Sequence, residues 1–239
     1  MTADEHPVEC FREILNGLSR DRYPRGVVPL PGVIDGTAFF SAGPGLYCEA
    51  RPSEVGLPGF PFGGTMIVGN NLDAEGPYRR RLTLGIPHGD TRTPMRTWRN
   101  LYRLLDLARV DIRRCFFTNA YVGLVAGESP TGRFPGATDV SFALWCQQFL
   151  RTQIETMHPN VLVSIGGDAR RFAAKLSTDL RHWRTSARTR VDEARIGELT
   201  VRAVALAHPS MYPASAKGRE FAGRYGVEAD AALLHEACT

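Results

Sequence analysis

The sequence predicts an α/β protein, a three-layer α/β/α stack around a central four-stranded, mainly parallel sheet. Two observations carry this. The runs TMIVG (Thr65–Gly69), CFFTNA (Cys115–Ala120), VLVSIG (Val161–Gly166) and VRAVALA (Val201–Ala207) are near-continuously apolar, the pattern of strands buried on both faces. Between them lie longer segments with apolar residues at helical spacing, the alternation that builds parallel sheets covered by helices.

The elements follow in order. Phe11, Ile14, Leu15 and Leu18 predict a first helix over Glu9–Leu18. The Pro- and Gly-rich stretch Tyr23–Gly64 reads as an irregular wrap, with a short strand near Ala38–Phe40. After the first core strand, Trp98, Leu101, Tyr102, Leu104, Leu105 and Ala108 predict a helix over Thr97–Ala108. A long helix is expected over Val140–Met157 and a shorter one over Ala169–Leu176 with Asp168 as its N-cap. A last helix covers Val227–Glu236, and residues 1–239 read as one domain without repeats.

Composition narrows the class. The chain has 239 residues, 43% hydrophobic and 23% charged, with a formal net charge of +4. That mild excess permits an anionic partner without requiring one. Five scattered cysteines, Cys10, Cys48, Cys115, Cys146 and Cys238, form no C-x-x-C pair and suit a reducing compartment. The acidic start MTADEHPVEC has no apolar core, and no window approaches the roughly 18 apolar residues of a membrane span. The cytoplasm is the expected location.

In parallel sheets ligands bind at the carboxyl ends of the strands. GNNLD (Gly69–Asp73) follows the first strand; its glycine permits a sharp turn that aims the backbone of Asn70 at a ligand. Asn119, at the end of the second, carries an acceptor and two donors, enough to read an imide edge, though a satisfied structural amide reads the same way. AHPSMYP (Ala207–Pro213) follows the fourth: His208 could stabilise a leaving anion, Ser210 hold a phosphate, and Met211 and Tyr212 wedge into a base stack.

This order of segments resembles the uracil-DNA glycosylases, above all the iron–sulfur type, with its G-E-A-P-G-like turn, T-N-x-x-K-C strand and H-P-S loop. CQQFLRTQIETMHPNVLVSIGGDARRFAA (Cys146–Ala174) is similar to that family's helix and strand, and the resemblance runs from Thr65 to Pro213. It implies a monofunctional enzyme that flips uracil from DNA and hydrolyses its N-glycosidic bond, leaving an abasic site. His208 would stabilise the uracil anion at O2, Asn119 would reject cytosine, and Gly69 and Asn70 would contact the base. Asn71 matches the water-positioning asparagine of the G-[IM]-N-P-G relatives, while Asp73 is the alternative on chemical grounds. The stacking residue of the relatives has no aromatic counterpart at Thr93-Pro94-Met95, leaving Met95, Tyr78 or Trp98 as substitutes, of which Trp98 lies within a helix pattern that favours the core. Arg79, Arg80 and Arg81 could clamp phosphates or form a solvated loop.

Apart from Cys146, the cluster cysteines of the iron–sulfur relatives are largely missing: Gly123 stands at one ligand position, and no amino-terminal C-x-x-C is present. No metal or other cofactor is therefore expected. The expected partners are uracil-containing DNA, single- or double-stranded, and free uracil as product; no membrane partner is expected, and a monomer suits a protein that scans DNA. Three other readings stay open: a glycosylase for hypoxanthine, xanthine or a mismatched thymine, a non-catalytic abasic-site binder, and a nucleotide hydrolase using GGDAR (Gly166–Arg170) as a phosphate turn.

Overall fold

The computed structural model describes residues 7–31, 61–84, 96–129, 132–186 and 189–239. The expected strand near Ala38–Phe40 and the residue Met95 lie outside them. Described strands are β1 (Val27–Val28), β2 (Thr65–Asn71), β3 (Cys115–Tyr121), β4 (Leu124–Val125), β5 (Val161–Ile165), β6 (Asp192–Ile196), β7 (Leu199–Leu206), β8 (Glu220–Phe221) and β9 (Arg224–Tyr225). Helices are α1 (Pro7–Asn16), α2 (Glu75–Leu84), α3 (Arg96–Leu107), α4 (Val140–Met157), α5 (Gly167–Ala173) and α6 (Gly226–Cys238).

The four expected strands form the parallel part of the central sheet, whose order is β3-β2-β5-β7-β6. The sheet has five strands rather than four, because β6 adds an antiparallel edge to β7. Its residues DEARI alternate buried and exposed, as an edge strand should, and Gly197 at φ +60° starts the two-residue turn into β7.

Two neighbouring phenylalanines show why the sheet carries helices on both faces. Successive strand side chains point to opposite faces. Phe116 meets Phe11 of α1 at 6.1 Å, and Phe11 in turn meets Phe149 of α4. Phe117 meets Trp98 of α3 at 5.0 Å. The three-layer α/β/α stack follows, and its core is continuous through these rings and the strands.

Two helix readings change. Asp168 is not the N-cap of α5: Gly166, at φ +87°, occupies that position, and Asp168 sits in the first turn bonded to Arg171. The left-handed glycine starts the helix two residues before the expected Ala169. PYRRRL, weighed as a solvated loop, lies within α2. Arginine is a good helix former, Glu75 pairs with Arg79 at i,i+4, and burying Tyr78 gives the helix an anchor. The long helix α4 begins and ends where the sequence predicts; Asp139 caps it by accepting from the Phe142 amide at 2.8 Å.

β2 hands the chain on toward β3, whereas β5 hands it on toward β7. Strand connections therefore diverge between β2 and β5, and a crevice opens at their carboxyl ends.

Candidate active site

A cavity of about 500 Å³ occupies that crevice. Its walls come from the ends of all four parallel strands, Gly69–Asp73, Asn119, Ile165–Asp168 and His208 with Ser210, and from Thr97 and the buried Trp98 of α3. Register explains the convergence. Gly69 pairs with Asn119, and Ile165 with Leu206, so both pairs of strands end level with each other.

His208 is held in one tautomer. The Ser210 amide donates to His208 Nδ1 at 3.2 Å, and the Ser210 hydroxyl lies 2.7 Å from the same nitrogen. An accepting Nδ1 leaves the ring proton of a neutral imidazole on Nε2. Burial lowers the His208 pKa, which favours that neutral form. Ser210 is thus a partner of the histidine, a second use for a residue expected on phosphate.

The loop carrying His208 is braced on both sides. Asn100 of α3 donates to the Pro209 carbonyl at 2.6 Å, and Arg96 donates to the Tyr212 carbonyl at 2.8 Å. From α6, the fully buried Asp230 accepts from the Ala207 amide at 3.0 Å and the Tyr212 hydroxyl at 2.9 Å, and pairs with Arg219. Burial pushes the Asp230 pKa up, and Arg219, the Ala207 amide and the Tyr212 hydroxyl pull against it. Gly166 lies beneath the imidazole: a Cβ there would sit 3.1 Å from His208 Cδ2.

Opposite His208, the GNNLD turn is internally bonded. Asn70 Nδ2 donates to Asn71 Oδ1 at 2.8 Å, and Asn71 Nδ2 donates to the Leu72 carbonyl. Asp73 Oδ1 accepts from the Ala74 amide at 2.8 Å. Asn71 and Asp73 both line the cavity, as does the buried Asn119.

Several expected site residues lie elsewhere. Tyr78 does not face the cavity: it is 1% exposed and packs with Leu72 and Leu124. Tyr212 cannot wedge into a base stack in this arrangement, because it is 5% exposed and its hydroxyl is spent on Asp230. Met211 beside it is 58% exposed and free of that constraint. Arg79 pairs with Glu75 at 3.0 Å and Arg80 with Glu128 at 2.8 Å, both on the surface of α2 and outside the cavity lining. Arg81 is also on α2.

Sequence reasoning missed Asp230, Arg219, Asn100 and Gly166. Asp230 carried a signal: it is an acid on the apolar face of a predicted helix, which needs a buried partner.

A four-thiolate cluster does not fit these residues. Cys146 is buried inside α4, its thiol pushed up to about 12 by burial, and the matching position after β3 is Gly123. Among the described residues, no three His, Cys, Asp or Glu side chains gather as metal ligands.

The chain thus combines an α/β/α sheet with a polar cleft at the carboxyl ends of its parallel strands. The sequence pattern of the uracil DNA glycosylase superfamily matches residues 39–225, well over half the chain. The chain belongs to the uracil DNA glycosylase superfamily. It is in general terms a DNA glycosylase, a hydrolase of the bond between base and sugar. No curated protein matches it.

Proposed function

We propose that the protein releases uracil from DNA by hydrolysis. The observation that carries this reading is the pairing of a neutral His208, its Nε2 carrying the proton, with Asn119 in one cavity.

Cleaving the glycosidic bond leaves negative charge on the uracil O2 and positive charge on the sugar. A base in a duplex must first be extruded, at a cost of a few kcal/mol. In the cavity, His208 Nε2–H donates to O2 as the charge develops, a stabilisation present before the reaction begins. A neutral donor suits this task, since it need not surrender a proton. The Asn119 amide pairs with uracil O4 and N3–H; cytosine presents the reverse pattern and leaves that amide mismatched. Asn71 is held by two hydrogen bonds, and its Oδ1, which already accepts from Asn70 Nδ2, keeps a second lone pair for the attacking water. The Asp73 carboxylate faces the cationic sugar. Met211, exposed at the loop tip, fills the space vacated by the base.

The test is incubation with single- and double-stranded oligonucleotides carrying uracil or hypoxanthine, followed by alkaline cleavage of abasic sites. Strand breaks at uracil support the reading. Breaks at hypoxanthine alone would reassign the base, and none at all, with retained binding to an abasic oligonucleotide, would make the protein a binder.

A further inference from the structure

A second cavity, of about 190 Å³, adjoins the base cleft and shares Asn70 and Asp168 with it. Three cations, Arg133, Arg171 and Lys175, line it against one carboxylate, Asp168. Asp168 is already paired with Arg171. Among the described residues, neither Arg133 nor Lys175 makes an ion pair, and the Lys175 ammonium lies 5.9 Å from the centre of the Phe172 ring. Arg133 precedes α4, while Arg171 and Lys175 lie one turn apart along and just after α5, so separate elements deliver like charge to one concavity. Like charges at that spacing repel, and a concavity that concentrates them attracts an anion.

The floor is rigid. Tyr121 packs against Phe134 at 5.2 Å and Phe172 at 4.9 Å, which fixes the surface from which the cations rise. By contrast, Arg79 and Arg80 line neither cavity and are held by carboxylates.

We propose that this annex binds a phosphodiester of the DNA strand, the one immediately 5′ or 3′ to the extruded nucleotide. The inference rests on the reading of the neighbouring cleft as the base pocket. Arg133 and Lys175 supply the charge, Arg171 shares its guanidinium between Asp168 and the phosphate, and the base cleft and annex together set the direction of the strand.

The experiment compares kcat/KM on a single-stranded uracil oligonucleotide with two versions bearing a neutral methylphosphonate, one 5′ and one 3′ to the uridine. The enzymes are the wild type, the double variant Arg133→Gln/Lys175→Gln, and Arg113→Gln. Arg113 is a surface cation beside the opposite end of the sheet, before β3. On the native strand the double variant should lose roughly tenfold, and its salt slope should flatten by about 0.7, the value for one neutralised phosphate on a single strand. On one methylphosphonate substrate it should lose nothing further. Losses that multiply on both modified strands, or a slope equal to that of Arg113→Gln, would overturn the proposal. A wild type that releases no uracil would refute the base reading alone; the same comparison then reads Kd on an abasic oligonucleotide.

Discussion

At the scale of single residues, the proposed chemistry turns on one ring nitrogen. The Ser210 amide commits His208 Nδ1 to accepting, and burial lowers the ring's pKa, so the neutral donor persists through neutral pH. The sign fixes the pH profile. Protonation must fall below the ordinary imidazole value of about 6.5, so kcat should be flat near neutrality and drop on an acid limb centred below that value. A limb centred above it would contradict the assignment. The same depression means the unfolded chain takes up the proton first, so stability falls as pH descends through that window. Gly166 is as demanding: its φ of +87° strains any side chain, and a Cβ 3.1 Å from His208 Cδ2 would push the imidazole. Gly166→Ala should cost about 1–2 kcal/mol of stability and, by displacing His208, depress uracil release more than the small loss in Tm implies. Release kinetics beside a thermal melt make that comparison.

At the scale of elements, the loop from Ala207 to Tyr212 is positioned by a neighbour it never adjoins in sequence. Asp230 of α6 bonds the residue before His208 and the tyrosine four residues after it. Removing its charge strands Arg219, 12% exposed at its side chain, without its carboxylate. Asp230→Asn should therefore destabilise by about 3–5 kcal/mol. Tyr212→Phe loses one hydrogen bond and should cost about 1 kcal/mol, or roughly 2–4 °C in Tm for a chain of this size. Equal melts for both variants would show that Asp230 does not hold the loop. What the sequence made legible here depended on the kind of signal. β2, β3, β5 and β7 were legible because burial on both faces leaves continuous apolar runs, and α4 because apolar residues recur at helical spacing along Val140–Met157. β6 escaped because DEARI is charged and alternating, short enough to pass for a loop. α2 escaped because three arginines hide the single buried tyrosine that anchors it. Asn119, His208, Asn71 and Asp73 were legible from their places at strand ends, whereas Tyr78 and Tyr212 misled, since an aromatic near a site reads alike whether it faces cleft or core. Asp230 and Gly166 act through contacts across the fold, which no local pattern records.

At the scale of the whole molecule, the strand order creates one crevice between β2 and β5, and four strand ends deliver its walls. The net charge of +4 is modest, so affinity for DNA depends on where cations gather rather than on their number. The central claim is that Asn119 reads uracil while His208 carries the charge of its departure. Single-turnover release of uracil by the wild type, Asn119→Ala and His208→Ala, with gel-shift binding to an abasic oligonucleotide alongside, tests it most directly. The account predicts a fall of roughly 10²–10³ in rate for each variant, with abasic binding kept within a few-fold. Uracil release by Asn119→Ala at the wild-type rate would contradict it.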